Sequence, residues 1–92
     1  MYLHIGQDRM VPLGDLVGIF DLDNTSSSFR TRSFLRKAEA QGRVVQVWED
    51  LPKSFVLCER DGVQTVYMTQ MAAATLLRRA EAAERGLHLE NE

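Results

Sequence analysis

Val17-Gly18-Ile19-Phe20-Asp21-Leu22-Asp23-Asn24-Thr25 decides how this chain is read, because an apolar strand ending in Asp-x-Asp-x-Thr opens two very different structures. In one, paired carboxylates at the end of a parallel strand attack a phosphoryl group and manage its proton beside Mg²⁺. In the other, Asp21, Asp23 and Asn24 end a strand and bond nearby backbone in a turn before Ser26-Ser27-Ser28. The rest of the chain decides for the turn. Each parallel strand of a doubly wound sheet needs a crossover of about a dozen residues, and 92 residues cannot hold enough of them. Companion acids are also missing, since Glu49-Asp50 runs directly into Leu51-Pro52-Lys53 and Asp61-Gly62 reads as a tight turn.

The stretch resembles the opening motif of the haloacid dehalogenase-like phosphatases over those nine residues and no others. No other chemistry stands in for it. His4 and His88 are not at metal-ligand spacing, the serines at 26–28 lack a neighbouring His, and there is no glycine-rich phosphate loop. His4, between Leu3 and Ile5, reads as a structural histidine. The expectation is a protein that is not an enzyme and holds no metal or cofactor.

A chain of this length makes one domain with a modest core, which self-association would reinforce. Hydrophobic residues make up 45% and charged residues 26%, the balance of an ordinary soluble globule, and a net charge of −2 gives no global nucleic-acid signature. Cys58 is the sole cysteine and sits in Phe55-Val56-Leu57-Cys58, where it reads as a small buried hydrophobe. With no apolar run of 18 residues and no signal-like segment, a cytoplasmic protein away from membranes is expected.

Short strands and two helices alternate along the chain. Residues 2–5, 10–13 and 16–22 read as strands, the third as central and covered on both faces because Val17, Ile19 and Phe20 are all apolar. Residues 28–41 read as a helix, with one of the three serines as N-cap and Gly42 as its stop. Phe34, Leu35 and Ala38 supply its buried face, with Phe29 packing at its entrance. Residues 44–48 form a strand, and Pro52 keeps 49–52 a loop. Residues 53–59 and 63–68 flank Asp61-Gly62 as an antiparallel hairpin, the clearest element of the chain. A second helix spans 70–85, capped by Thr69, buried through Leu76, Leu77 and Ala80, and stopped by Gly86. The pattern gives an α+β fold: a small, mostly antiparallel sheet of short strands with two helices. Residues 1–86 form the domain and 87–92 a frayed tail.

Charge is unevenly spread. Residues 28–45 hold Arg30, Arg32, Arg36, Lys37 and Arg43 against the single acid Glu39, so the first helix presents a basic face. Such a face attracts phosphate backbones or is a solvated surface with local ion pairs. Trp48 reads equally as an interface anchor or as the edge of the core.

Taken in order, Met1-Tyr2-Leu3-His4-Ile5-Gly6, Leu16-Val17-Gly18-Ile19-Phe20-Asp21, Pro52-Lys53-Ser54-Phe55-Val56-Leu57 and Thr75-Leu76-Leu77-Arg78-Arg79-Ala80 resemble the RemA/RemB family of bacterial extracellular-matrix (biofilm) regulators, on its RemB branch. The resemblance covers residues 1–81. It implies a cytoplasmic α+β protein whose copies close into rings that bind DNA around their periphery. Where the RemA branch carries DNA-contacting arginines, this chain has Asp15 and the neighbourhood of Asp50-Leu51, so DNA contact is expected instead through Arg30, Arg32, Arg36, Lys37 and Lys53. The alternative is an oligomeric interaction module without DNA affinity, meeting a related, basic regulator through acids around Asp15 and Asp50.

Overall fold

The computed structural model describes residues 1–25 and 28–85. The main sheet has four strands, β3 (Leu16–Asp21), β4 (Val44–Gln46), β5 (Ser54–Arg60) and β6 (Val63–Thr69), in the spatial order β3-β5-β6-β4. A separate two-stranded sheet pairs β1 (Tyr2–Gly6) with β2 (Arg9–Pro12). Among the described residues the helices are the single turn α1 (Leu22–Thr25), α2 (Phe29–Ala40) and α3 (Ala73–Glu84). A 3-10 turn over Leu13–Asp15 joins β2 to β3.

β5 is the central strand, and Ser54, Phe55, Val56, Leu57 and Cys58 are all buried on it. Its side chains alternate between two cores, as the strand period requires. Phe55 and Leu57 join Ala38 and Val66 beneath α2, with Phe20, Phe34, Leu35, Val44 and Met68 around them. Phe20 stacks on Phe55 with ring centroids 4.7 Å apart. Val56 and Cys58 face the opposite way and join Leu3, Ile5 and Val11 of the β1–β2 hairpin with Leu76 and Ala80 of α3. The result is three layers: α2, the four-stranded sheet, then α3 beside the small hairpin.

The expected hairpin forms as its sequence dictates. Asp61 and Gly62 have φ of +53° and +81°, the two left-handed residues of a tight hairpin turn, and Arg60 closes it opposite Val63. Gly42, at φ +71°, ends α2. There the Gly42 N–H bonds to the Glu39 carbonyl and the Arg43 N–H to the Ala38 carbonyl, both reaching back over the last turn.

Several expectations need correcting. β3 is an edge strand rather than a central one: among the described residues it pairs with β5 alone, carries a bulge between Leu16 and Gly18, and leaves Val17 exposed. Its apolar run reads like a buried strand because the α2 core takes Phe20 while the other core takes Leu16 and Ile19. β4 is shorter than expected and pairs parallel to β6, so the sheet is mixed. The chain leaves β3, crosses by way of α2, and returns in β4 on the far side of the gap that β5 and β6 fill. Phe29 is 74% exposed and joins neither core, rather than packing at the entrance of α2. Leu77 is exposed, and Ala82 joins Leu76 and Ala80 in the buried set of α3.

Thr69 is not a helix cap, because α3 begins at Ala73 with Ala72 in the N-cap position. Thr69 is buried at the end of β6, where its hydroxyl donates to the Ile5 carbonyl at 2.6 Å and accepts the Met71 N–H at 3.1 Å. Beside it, the buried Ser54 hydroxyl donates to the Met71 carbonyl at 2.7 Å. These two hydroxyls tie β1, β5, β6 and the lead into α3 together. The side chain of Asn24, the caps expected of Ser26 and Ser27, the stop at Gly86 and the tail at 87–92 all lie outside what the structure describes.

Replacing Thr69 with Val keeps the shape and strands the Ile5 carbonyl and Met71 N–H without their partner. Unfolding in urea is expected to show a loss of about 1–3 kcal/mol with an unchanged slope, and Thr69→Ser to recover most of it.

Candidate nucleic-acid interface

Arg30, Arg32, Arg36 and Lys37 are all exposed on α2 because Phe34, Leu35 and Ala38 turn the other side of the helix into the core. They do not form one face. Arg32 and Arg36, four residues apart, share a flank with Glu39 and wall a recess floored by Leu35, Val44 and Met68. Lys37 lies on the other flank, over a shallow depression lined by Phe34, Gln41, Glu59 and Gln64, and Arg30 precedes it by two helical turns. Arg43 is half-buried and committed to structure: its Nε donates to Gln41 Oε1 at 2.7 Å and its Nη1 to the Gln64 carbonyl at 3.0 Å.

Lys53 is exposed at the start of β5, at the same end of the sheet as the first turn of α2. Its backbone N–H donates to the Thr69 carbonyl at 2.8 Å and its own carbonyl accepts the Leu22 N–H at 3.0 Å, so the main chain is fixed while the ammonium reaches solvent.

The Asp-x-Asp motif makes the turn its residues suggested. The Asp23 N–H donates to Asp21 Oδ1 at 2.8 Å, two residues back. Phosphoryl transfer in the doubly wound folds uses the crevice at the carboxyl ends of parallel strands, whereas among the described residues β3 is an edge strand paired with antiparallel β5 alone. Among the described residues no three His, Cys, Asp or Glu side chains cluster as a metal site. No helix among them is long and apolar enough to cross a membrane.

Asp15 is not the bare carboxylate its sequence position suggested. Arg60 donates through Nε to Asp15 Oδ2 at 2.9 Å, and only 19% of the Asp15 side chain is exposed against 65% of Arg60. The carboxylate holds the Arg60 guanidinium even further above its ordinary range. A phosphate approaching this corner therefore meets a neutralised pair with the cation outermost. The pairing of Leu16 with Cys58 creates this pair, and the sequence carried no local signal for it. Asp50 accepts the Trp48 Nε1–H at 3.3 Å, folding the indole against the exposed loop that carries Glu49 and Leu51.

His4 is satisfied as expected. The Gln7 carbonyl can only accept, so Nε2 donates to it, and Nδ1 is left to accept from Arg79 Nη1 at 3.4 Å. Cys58 is buried as expected, and burial, helped by the charge of Asp15, pushes its thiol pKa up from 9.0 to about 11.

No family model matches the chain. The chain is 36% identical over 81 residues to extracellular matrix regulatory protein B of Bacillus subtilis strain 168, a match covering 88% of this chain and 91% of that protein. It belongs to the extracellular matrix regulatory protein B family. A match of that extent spans both cores of the fold, so the family relation concerns the whole domain. The name of the Bacillus subtilis relative describes regulation and not a reaction.

The thiol of Cys58 stays neutral in the fold up to a higher pH than in the unfolded chain. Its contribution to stability is complete below about pH 9 and is lost as pH rises toward about 11. A coloured thiol reagent at pH 8 is expected to label Cys58 at least about a hundredfold more slowly in native protein than in urea, because only an opened form reacts.

Proposed function

We propose that this chain regulates extracellular-matrix (biofilm) gene expression in the cytoplasm as a ring-forming homo-oligomer that grips the DNA backbone through repeated basic surfaces. The observation that carries the reading is α2, whose four exposed cations face one acid in a chain of net charge −2. One copy offers too few charges to hold DNA well. An assembly repeats the face, so that each contact after the first is made at high effective concentration. Arg30, Lys37 and Lys53 form the phosphate-facing set, with Arg32 and Arg36 at its margin. Contacts of this kind set position on the duplex and read no sequence by themselves. The Asp15–Arg60 pair supports the reading, because it removes the bare acid that would repel phosphate at the corner of the sheet. The role in matrix regulation follows the name of the Bacillus subtilis relative.

A second reading, an interaction module that pairs with a related basic regulator and leaves DNA alone, draws on the exposed acids Glu49 and Asp50. The two separate in a single titration.

Fluorescence anisotropy of a labelled AT-rich duplex is expected to show binding that weakens by at least roughly fortyfold between about 50 and about 200 mM salt, the figure for about three phosphates neutralised in all, and more steeply as further copies engage. Arg30→Glu with Lys37→Glu should abolish most of it. Absence of binding at both salts, or binding untouched by the double variant, would sink the DNA reading and leave the interaction module.

A further inference from the structure

A protruding apolar side chain follows two acids on one loop, and a recess with an apolar floor carries two arginines on its wall. Leu51 is 87% exposed, more than any other large apolar side chain among the described residues, and it follows the exposed acids Glu49 and Asp50 on the loop between β4 and β5. The recess lies between α2 and the free edge of β4 and measures about 300 Å³, room enough for a leucine side chain. Leu35, Val44 and Met68 make it apolar, and Arg32 and Arg36 outnumber Glu39 at its wall. Leu51 does not enter the recess of its own chain, as its exposure shows.

We propose that Leu51 of one copy seats in the α2–β4 recess of a second copy, with Glu49 and Asp50 meeting Arg36 and Arg32. Asp50 can serve both its own Trp48 and a partner arginine, since a carboxylate accepts several hydrogen bonds. An apolar anchor in a pocket, ringed by charge pairs that exclude water, is the pattern of a strong contact point between proteins. The loop and the recess both border Gln46, so each copy carries donor and acceptor side by side. Every copy of a closed assembly can then fill both. The contact deepens the oligomeric part of the proposed function and does not depend on DNA binding. It divides the cations of α2 by role: the β4 flank holds copies together, while Arg30 and Lys37 stay outward.

The test is sedimentation velocity of the full chain, where a monomer is 10.5 kDa. Wild type is expected to assemble, and Leu51→Glu to raise the dissociation constant at least about tenfold, the scale of losing an anchor. Two charge-reversed chains sharpen it. One carries Glu49→Arg and Asp50→Arg, so that its loop and recess are both basic. The other carries Arg32→Glu and Arg36→Glu, so that both are acidic. Each alone should stay monomeric, and an equimolar mixture should assemble, because each loop then meets a recess of opposite charge. All these residues are exposed, and far-UV circular dichroism checks that each variant is folded. The proposal is overturned by a monomeric wild type at about 100 µM, where even weak association registers. It is equally overturned by a folded Leu51→Glu chain that assembles like wild type, or by a folded mixture that fails to assemble. Sedimentation is run without DNA, and the Arg30→Glu with Lys37→Glu chain, altered outside the contact, is expected to assemble like wild type while losing duplex binding, so failure of the DNA reading leaves the contact standing.

Discussion

Burial of β5 on both faces is the constraint from which the rest of this structure follows. Five consecutive residues, Ser54 to Cys58, leave solvent at once, and a strand of that kind must be covered by a layer on each side. α2 covers Phe55 and Leu57, while α3 and the β1–β2 hairpin cover Val56 and Cys58. With the centre of the sheet taken by the β5–β6 hairpin, β3 and β4 become its edges. The Asp21 turn therefore lies at a corner of the sheet, where the Asp21 carboxylate accepts the Asp23 N–H. A sequence motif that names one chemistry in isolation sits here at the end of an edge strand and makes a turn.

The elements that could be read from the sequence are those fixed by local rules. Asp61-Gly62 takes the only backbone such a turn allows, Gly42 ends α2 where a left-handed residue is needed, and Pro52 keeps its segment out of the sheet. Strand order could not be read this way. Residues 16–22 and 53–59 both look like buried strands, and which is central depends on pairing partners far along the chain. Thr69 was misplaced because a buried hydroxyl serving two backbone groups from the end of a strand looks, in sequence, like a cap before a helix. Leu77 is exposed because the buried stripe of α3 runs from Ala80 through Leu76 toward Ala82, and Leu77 projects from the flank away from Ala82.

The candidate site was legible in its residue types and illegible in its arrangement. Arg30, Arg32, Arg36 and Lys37 are exposed as expected, but helical spacing and the β4 edge sort them into two flanks with different neighbours. The acid at Asp15 looked like a barrier to DNA until the register of β3 on β5 brought Arg60 to it. A side chain's effect on a charged ligand depends on what stands within a few ångströms, and that information is nonlocal. Membership of the extracellular matrix regulatory protein B family, at 36% identity over nearly the whole chain, ties both flanks to one regulatory domain.

Hydrogen exchange read by mass spectrometry, with and without a duplex at about 50 mM salt, tests the central claim most directly, because it maps the contact without altering a residue. The account predicts slowed exchange in peptides covering α2 and the start of β5 on adding DNA, with α3 and the β1–β2 hairpin unchanged. Protection confined to α3 or the hairpin, or no change anywhere, would contradict it.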